Sequence, residues 1–467
     1  MKKLFIAFCL SLGVSLGGAQ AQNWDSSEEV FQEIEALKAQ IVAPEFRDVE
    51  YAVTDFGAVG DGVTLNTEAI NKAIETCSAE GGGKVVVKKG IFLTGALFLK
   101  SGVNLHLEEG SVLLFSRDTD DYPIVFTRWE GMECMNYSPL IYAYEQKNIA
   151  ITGSGTLDGN ADNDNWWFWS GKDRFGYTKE RPGVQKPARD KLHEMMAARV
   201  PVKERVFGDG HYLRPNFIQP YKSKNIWIQG VTMTNSPMWN INPVLCENVI
   251  VEDVKIDSHG PNNDGCNPEA SKNVWIKGCY FDTGDDCIAI KSGRDQDGRD
   301  IGVPAENIII ENSIMKDGHG GVVIGSEIAG GAKNVYALNN IMDSPHLDRA
   351  LRIKTSSSRG GVIENVFMYN TKIGRYKEAA IRFNMFYENP GKHVPTIRNV
   401  WVENMEVQGG GKYAVLSEVY ESSPVDGLVL KNCVIDGVEI PYKVDHLKNV
   451  KLENVLINGK RIDAFSN

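Results

Sequence analysis

The stretch Asn248-Val249-Ile250-Val251 decides the fold, because its pattern returns along the chain. An Asn followed by alternating branched or aromatic residues also begins at Asn225, Asn273, Asn307, Asn334, Asn365, Asn399 and Asn449. Most neighbouring copies are 23 to 34 residues apart. Short Val/Ile strands bounded by Gly, Asn and Asp, without long helices between them, indicate a parallel β-helix rather than β-α-β units. The pattern therefore predicts an all-β solenoid whose coils each supply about three strands and stack ~4.8 Å apart.

Two helices are predicted ahead of the coils. The first covers residues 28–41 and carries an apolar face made of Phe31, Ile34, Leu37 and Ile41. Asn66 is a candidate N-cap for the second, whose apolar face consists of Ile70, Ala73, Ile74 and Cys77. A solenoid needs its open apolar end covered. We expect the second helix to be that cover, within an N-terminal helical cap region at residues 22–90.

A long insertion interrupts the strand pattern from Gly159 to Tyr212. Trp166, Trp167 and Trp169 precede a Pro-containing stretch and a predicted helix around residues 189–199. Loops of this length in a compact fold are usually functional or disordered. Two interpretations of the tryptophans stay open: they take part in function, or they fix the insertion to the surface of the coils.

The first 21 residues have the pattern of a cleavable export signal. Lys2 and Lys3 precede an apolar stretch at residues 4–16, and Ala19-Gln20-Ala21 is a small-residue cleavage site. We expect cleavage after Ala21, a single catalytic domain over residues 22–467, and a periplasmic or secreted protein. No later segment approaches the ~20 apolar residues that a membrane span needs, so no membrane insertion is expected after signal removal.

Charge and cysteine content exclude some classes of partner. The net charge of −11 and the lack of a basic stripe argue against nucleic acid. A polyanionic sugar remains possible, because charges more than roughly 8–10 Å apart are largely screened and local cations would decide. The seven cysteines beyond Cys9 are expected to be buried packing residues, with room for one disulfide. Zinc is less favoured, because Cys266, Cys279 and Cys287 lack a CxxC pair or a converging His.

Four short strings carry the residues from which a site could be built. They are Asn262-Asn263-Asp264, Gly284-Asp285-Asp286, Gly318-His319-Gly320 and Arg352-Ile353-Lys354. Their steps of 21 to 22, about 33 and about 33 residues are similar to the length of one coil. Each string alone is an ordinary turn or strand sequence. Their common register predicts that they stack as neighbours and form one site.

The three acids suit glycoside hydrolysis, which uses one carboxylic acid and one carboxylate. Gly284 suggests a turn in which the adjacent Asp285 and Asp286 both face outward. Asp264, one coil earlier, would lie within roughly 5 Å of them, so repulsion should raise the pKa of one acid. His319 either orients the acid through a hydrogen bond or is a turn histidine bonded within its own loop.

Arg352 and Lys354 lie two residues apart, so strand alternation sends both to one face and Ile353 into the core. A bidentate guanidinium and an ammonium together suit a ligand that carries a carboxylate. An ion pair at the edge of a strand is the alternative.

With these motifs the sequence resembles the polygalacturonase family, glycoside hydrolase family 28. The resemblance extends over nearly the whole mature chain from Asp55-Phe56-Gly57-Ala58-Val59-Gly60-Asp61-Gly62 onward. It implies a right-handed parallel β-helix and inverting hydrolysis of α-1,4-galacturonosidic bonds, with no cofactor and no metal. By resemblance, Asp285 is the general acid, Asp264 and Asp286 activate water, and His319 supports the acid. Arg352 and Lys354 hold the substrate carboxylate after the scissile bond.

The implied inversion sets a geometric requirement. Inverting enzymes usually separate their carboxyl groups by roughly 6.5–9.5 Å, more than one coil step. We expect divergence of the side chains to supply the difference.

The expected partner is an anionic polysaccharide or oligosaccharide. Retention of Arg352 and Lys354 favours homogalacturonan, with an exo-acting α-galacturonidase on rhamnogalacturonan as the alternative. The segment from Cys287 to Gly293, together with the insertion at 159–212, resembles bacterial exo-acting members. Lys291 is then a candidate contact for the carboxylate of a terminal sugar.

Asn262 is a further substrate-binding candidate, and Arg294 and Arg214 are weaker ones. A calcium-dependent pectate lyase could use the three acids as metal ligands, although the nearby His319 and Arg352 argue against a metal cage. A non-catalytic sugar-binding β-helix is the remaining class. The sequence leaves the oligomeric state open.

Overall fold

The computed structural model describes residues 24–181 and 183–466, so the predicted export signal lies outside the described residues. Within these ranges no helix is long and apolar enough to cross a membrane. Short parallel strands stack into a right-handed β-helix with three faces, which confirms the predicted fold class. Parallel stacking lets every coil bond its backbone to the next, and the hand is the one favoured by L-amino acids.

The first face contains the repeated Asn strings. Its strands are Glu50–Ala52, Gly83–Val87, Val103–Leu107, Lys147–Gly153, Lys224–Gln229, Glu247–Glu252, Lys272–Lys277, Ala305–Glu311, Ala332–Leu338, Val362–Tyr369, Thr396–Glu403, Val425–Ile435 and Lys451–Ile457. The second face follows at each turn of the chain. Its strands are Asp61–Leu65, Gly90–Thr94, Ser111–Phe115, Thr156–Asp158, Thr232–Thr234, Lys255–Ser258, Tyr280–Thr283, Ile314–Met315, Ile341–Met342, Lys372–Arg375 and Glu406–Gly410.

The third face carries the candidate site. Its strands are Leu97–Phe98, Ile141–Tyr144, Ile218–Tyr221, Ile288–Ile290, Val322–Ile324, Arg349–Lys354, Ala379–Asn384, Tyr413–Glu418 and Ile440–Val444. Single bridges through Ile241 and Cys266 continue this face where no strand forms. Ile124–Trp129 and Met132–Tyr137 form an antiparallel hairpin outside the parallel stack. Lys460–Arg461 extends the first face by pairing antiparallel with Lys451–Ile457. Leu447–Lys448 is a short strand beside Val425–Ile435.

The core is a set of stacked aliphatic rows. On the first face one row is Ile226, Val249, Val274, Ile308, Val335, Val366, Val400 and Leu428, each paired in register with the next. All eight are buried in one continuous cluster. Each buried side chain of this size contributes about 1.5–3 kcal/mol. A second row, two residues further along each strand, runs from Ile228 to Leu430 and is buried in the same cluster. The Val/Ile alternation in the sequence is therefore the signal of inward rows that stack from coil to coil.

A ladder of asparagine amides explains why Asn recurs near the start of the first-face strands from Lys147–Gly153 to Thr396–Glu403. The ladder residues are Asn148, Asn225, Asn248, Asn273, Asn307, Asn334, Asn365 and Asn399. From Asn225 onward, each side-chain N–H₂ donates to the side-chain amide oxygen of the previous ladder residue at 2.7–3.1 Å. Their φ angles of 54–59° lie in the left-handed region, which Asn tolerates better than branched residues. Gly427 takes the next position, and Asn449 instead donates to Asp426.

The first helix, Ser27–Lys38, lies along the side of the solenoid. Trp24, Val30 and Ile34 are buried in a separate cluster against the outward side of the first face. Phe31 contacts Phe367 and Tyr369 edge to face. This helix therefore spans several coils and does not cover their end.

The second helix, Thr67–Ala79, covers the N-terminal end of the main core with its buried Ile70, Ala73, Ile74 and Cys77. The predicted capping role of Asn66 is wrong in detail. Its side chain makes no bond to the helix, because its amide is used by the preceding loop at Val59 and Thr64 and by the Leu93 carbonyl. Strands of the first coils already lie within residues 50–90.

The insertion contains the helix Lys186–Ala197, and Asp295–Ile301 is a fourth α-helix after the third-face strand Ile288–Ile290. Short 3₁₀ turns occur at Val53–Phe56, Thr119–Asp121, Trp167–Ser170, Asp173–Phe175 and Val202–Glu204. Trp166 and Trp169 are buried in the main core, and the Trp167 indole N–H donates to the Ser236 carbonyl at 2.9 Å. Of the two interpretations of these tryptophans, the anchoring one matches their positions.

The seven cysteines from Cys77 to Cys433 are buried and free. The disulfide for which the sequence left room is therefore absent from the described residues. Burial raises the pKa of the Cys246 and Cys279 thiols to about 12, as expected for packing residues.

Candidate active site

The four predicted strings meet on the third face. Asp264 lies two residues before Cys266, and Asp286 lies two residues before Ile288. Cys266 and Ile288 are inward residues of this face and pair with each other in register. Asp264 and Asp286 therefore occupy equivalent positions on adjacent coils. The pairing of Ile288 with Val322 sets Asp285 beside His319 in the same way. The stacking predicted from the spacing is confirmed.

These side chains line a cavity of about 300 Å³. Its floor consists of Asp264, Asp285, Asp286, Lys291, Lys354 and His319, and its walls include Glu130, Ser170, Lys172, Gln185, Arg189, Trp239, Arg294, Glu327, Tyr387 and Glu388. Four of the wall residues come from the insertion, and Glu130 is at the turn of the antiparallel hairpin. The cavity is therefore a pocket built from coil residues below and inserted segments around it. Sites of this volume suit small ligands.

Asp285 and His319 form a hydrogen-bonded pair, with His319 Nδ1 2.9 Å from Asp285 Oδ1. The Asp286 backbone N–H donates to the same oxygen at 3.0 Å. Burial opposes ionisation of Asp285, but the bond and charge of His319, with Lys354 and Lys291, outweigh it and hold the pKa of Asp285 well below its usual range. The same bond raises the pKa of His319 above 6.5. The pair thus shares one proton, held mainly on the imidazole.

Asp264 is the member of the trio whose pKa rises. Burial is the largest cause and the negative charge of Asp285 the next, and both outweigh the attraction of Lys291. Asn267 donates to Asp264 Oδ2 at 2.8 Å. The prediction that the pKa of one acid would rise is confirmed, and that acid is Asp264, while the resemblance assigned the acid role to Asp285.

Asp286 is paired with the two cations of the fourth string. Lys354 Nζ donates to Asp286 Oδ2 at 2.6 Å, and Arg352 Nη1 lies 3.5 Å from Oδ1. Ile353 is in the core, so the predicted alternation is confirmed. Both cations lie over the ring of Tyr387, at 5.4 Å for Arg352 and 5.2 Å for Lys354. Neither Asp286 Oδ1 nor Arg352 Nε has a hydrogen-bond partner among the described residues.

Two glycines make room for this arrangement. A side chain at Gly318, whose φ is +156°, would lie 2.6 Å from the Asp285 carbonyl oxygen. At Gly320 a Cβ would lie 3.3 Å from Asp286 Oδ1 and 2.4 Å from a Val323 methyl. The Gly-His-Gly string therefore reflects close approach of the backbone to the two catalytic candidates.

Lys291 and Arg294 are bound to carboxylates of the pocket wall. Lys291 Nζ donates to Glu327 at 2.8 Å, lies 3.7 Å from Asp264 and sits over the Trp239 ring. Arg294 donates to Glu327 at 2.6 Å. Glu327 was missed by sequence reasoning because it follows a strand without a motif. The charge of Lys291 is therefore used first to neutralise Glu327 and Asp264, whereas the sequence suggested a contact with a terminal sugar.

Asn262 and Arg214 belong to the support of the Asp264 turn. Arg214 is fully buried and donates to Asn262 Oδ1, to the Pro261 carbonyl and to Gln185 of the insertion. Arg214 does not line the cavity, so its weaker candidacy as a direct contact is wrong. Burial lowers its pKa to about 10, and the negative charges of Glu130 and Asp285 offset this only in part. Asn262 does line the cavity.

The three carboxyl groups are closer than an inverting mechanism usually requires. One oxygen from each lies within 4.8 Å of one from the others, so the side chains do not diverge as expected. Such a group could hold a cation, but Lys354 and Lys291 already provide positive charge there. A second cluster with this property, Asp257, His259 and Asp282, lies outside the cavity.

Comparison with known proteins shows similarity to glycoside hydrolases that act on galacturonan. The model of glycosyl hydrolases family 28 matches residues 208–458, and a model described as rhamnogalacturonase A/epimerase, pectate lyase-like, matches residues 51–106. The chain is 29% identical over 437 residues to the exo-poly-alpha-D-galacturonosidase of Dickeya chrysanthemi, aligned over 88% of this chain and 71% of that one. It is 29% identical over 401 residues to a probable polygalacturonase of Vitis vinifera, covering 82% of this chain and 74% of that one.

A solved structure is more similar still. The hyperthermoactive exopolygalacturonase from Thermotoga maritima is 45% identical, with a TM-score of 0.90 over 93% of this chain and 97% of that one.

Proposed function

Because this chain belongs to glycosyl hydrolases family 28, we propose that it hydrolyses the α-1,4-galacturonosidic bonds of homogalacturonan or its oligosaccharides from one chain end. It is a glycoside hydrolase whose relatives include polygalacturonases and exo-acting galacturonosidases. The observation that carries the proposal is a pocket with three convergent carboxyl groups on its floor and inserted segments around its rim. A pocket bordered by inserted segments accepts the end of a polymer, whereas an open groove accepts its middle.

The Asp285–His319 pair supplies the acid. Both hydrogen bonds to the Asp285 carboxyl group fall on Oδ1, so Oδ2 is the oxygen that can face the glycosidic oxygen. In the reactive form the shared proton lies on Oδ2, while neutral His319 still donates its Nδ1–H to Oδ1. Asp285 gives the Oδ2 proton to the glycosidic oxygen as the bond between that oxygen and the anomeric carbon breaks. This transfer fits a general acid whose low pKa in the free protein is set by its neighbour.

Asp264 and Asp286 activate the water. Asp286 Oδ1 is buried and receives no hydrogen bond from the described residues, so it needs a donor such as a water O–H. Asp264 must lose its proton before it can share this task. Its raised pKa therefore predicts that activity increases as the pH rises through a value well above 3.8.

Arg352 and Lys354 bind the carboxylate of the substrate with N–H groups that the protein leaves available. Arg352 Nε lacks a partner among the described residues and its guanidinium stands beside Tyr387. Lys354 is shared between Asp286 and the sugar. A neutral sugar would leave these buried donors unpaired, which gives selectivity for uronates.

Product analysis tests the proposal. The enzyme is incubated with homogalacturonan and rhamnogalacturonan oligosaccharides, and early products are separated by chromatography, with Asp285→Asn as the inactive control. Galacturonate monomer as the sole early product from homogalacturonan is expected. Mixed oligomers would refute exo action, and release only from rhamnogalacturonan would refute the substrate. A new double bond that disappears with chelator would indicate a lyase.

We also propose that the protein is exported to the periplasm or beyond the cell by its leader at residues 1–21. The expected result is a mature N-terminus at Gln22 in protein recovered from a secreting bacterial host. An N-terminus at Met1 in that fraction would refute cleavage.

A further inference from the structure

The insertion contributes a cation to the pocket that differs from all the others there. Lys291, Arg294, Arg189 and Lys354 line the cavity, and each lies within 3.0 Å of a carboxylate oxygen of the protein. Lys172 lines the same cavity, and no ion pair or hydrogen bond of its ammonium occurs among the described residues. Its positive charge is therefore available to a ligand.

The backbone around Lys172 is held in place. The preceding 3₁₀ turn contains the buried Trp169, and the following one contains the buried Phe175. The Phe175 N–H donates to the Lys172 carbonyl at 2.9 Å, and the Gln185 N–H donates to the Trp169 carbonyl at 2.8 Å. The side chain is thus presented from a fixed loop, which lowers the ordering cost of binding.

The ammonium of Lys172 has no counter-charge in contact with it among the described residues. Lys172 and Asp285 line the same cavity. Loss of solvent around the ammonium lowers the pKa of Lys172, and the negative charge of Asp285 opposes this in part. A ligand carboxylate in contact with Lys172 and apart from Asp285 would replace solvent and satisfy the ammonium. The other cations of the cavity already neutralise Glu130, Glu327 and Asp286.

We propose that Lys172 is a specificity-determining residue that binds the carboxylate of the galacturonate unit on the non-reducing side of the cleaved bond. The inference rests on the proposed exo-hydrolysis and adds the residue that selects an acidic terminal sugar. Arg352 and Lys354 select the sugar on the other side of the cleaved bond. An enzyme of this design needs an uronate at both positions.

The test compares Lys172→Met with wild type on digalacturonate and on digalacturonate methyl-esterified at its non-reducing unit. The matched control is Lys179→Met, an exposed lysine of the same insertion that does not line the cavity. We expect Lys172→Met to lower kcat/KM on the free acid about 10-fold to 100-fold, the range of a charged hydrogen bond. Its loss on the ester should be much smaller, so its preference for acid over ester should fall. Lys172→Arg should retain that preference.

Equal loss on both substrates, or retention of the acid preference by Lys172→Met, would overturn the proposal. Because Lys172 is exposed, both variants should keep the wild-type melting temperature. If Lys172→Met is destabilised, the preference of Lys172→Arg for acid over ester still tests the proposal. Failure of wild type to release monomer would instead refute the proposed function, so the two failures are distinguishable.

Discussion

Replacing Lys354 with Met tests whether the fourth string is part of the catalytic floor or only a clamp for substrate. The substitution keeps the length of the side chain and removes a charge that lies 2.6 Å from Asp286, with side-chain exposures of 6% and 1%. Removing one partner of a buried pair usually costs about 3–5 kcal/mol. Arg352 remains 3.5 Å away, so we expect the lower end, about 3 kcal/mol.

The melting temperature gives a direct measure of this loss. At ~2.1 cal/mol/K per residue, a chain of this length has an unfolding entropy near 1 kcal/mol/K, so the cost corresponds to about 3 °C. The melting temperatures of the variant and of wild type are compared by calorimetry in the same buffer.

The double variant Lys354→Met with Asp286→Asn supplies the control. It removes the buried charge as well as its partner, so we expect it to recover most of the stability lost by Lys354→Met. A melting temperature unchanged in the single variant, or no recovery in the double, would refute the view that Lys354 holds Asp286. Lys354 would then serve the substrate alone, and only KM should respond.

Three further outcomes are expected. Asp285→Asn should lower hydrolysis of galacturonan oligosaccharides ~10²–10⁴-fold but have much less effect on an aryl galacturonide whose leaving group needs no proton; equal losses would contradict its role as acid. His319→Gln should move the alkaline limb of the kcat/KM profile to lower pH, because the bond to Asp285 raises the pKa of His319 and keeps the shared proton bound above pH 6.5; an unmoved limb would assign that proton elsewhere. NMR of the first product should show the β-anomer, as inversion requires, while the α-anomer would agree with the short spacing of the carboxyl groups.

Much of the fold could be predicted because its signal is periodic. The first-face strands from Lys147–Gly153 to Thr396–Glu403 repeat the same local requirements, a left-handed Asn followed by inward Val or Ile. A pattern that is weak in one strand becomes a strong signal when it recurs in eight. The side-lying helix could not be placed in this way. Its apolar face was visible, but its partners Tyr336, Phe367 and Trp401 are outward residues of distant coils whose aromatic character has no period.

The residues of the site show the same contrast between periodic positions, which could be predicted, and irregular ones, which could not. Asp264, Asp286 and His319 converge because their positions are set by coil register, which the spacing reveals. The pocket wall follows no register: Glu327 and Glu388 come from irregular loops, so nothing in the sequence pairs them with Arg294. The sequence also could not predict which of the three acids has the raised pKa, since this depends on the hydrogen bond between His319 and Asp285.

The asparagine ladder separates the spacing of the coils from the length of the chain between them. Asn148 and Asn225 are 77 residues apart, yet their side-chain amides form the same kind of hydrogen bond that joins Asn225 to Asn248, 23 residues further along. A segment of any size can therefore enter between two rungs while the coils that carry the acids keep their distance. In such a protein the choice between chain end and chain interior can change by lengthening one loop, with the chemistry on the coils left as it was.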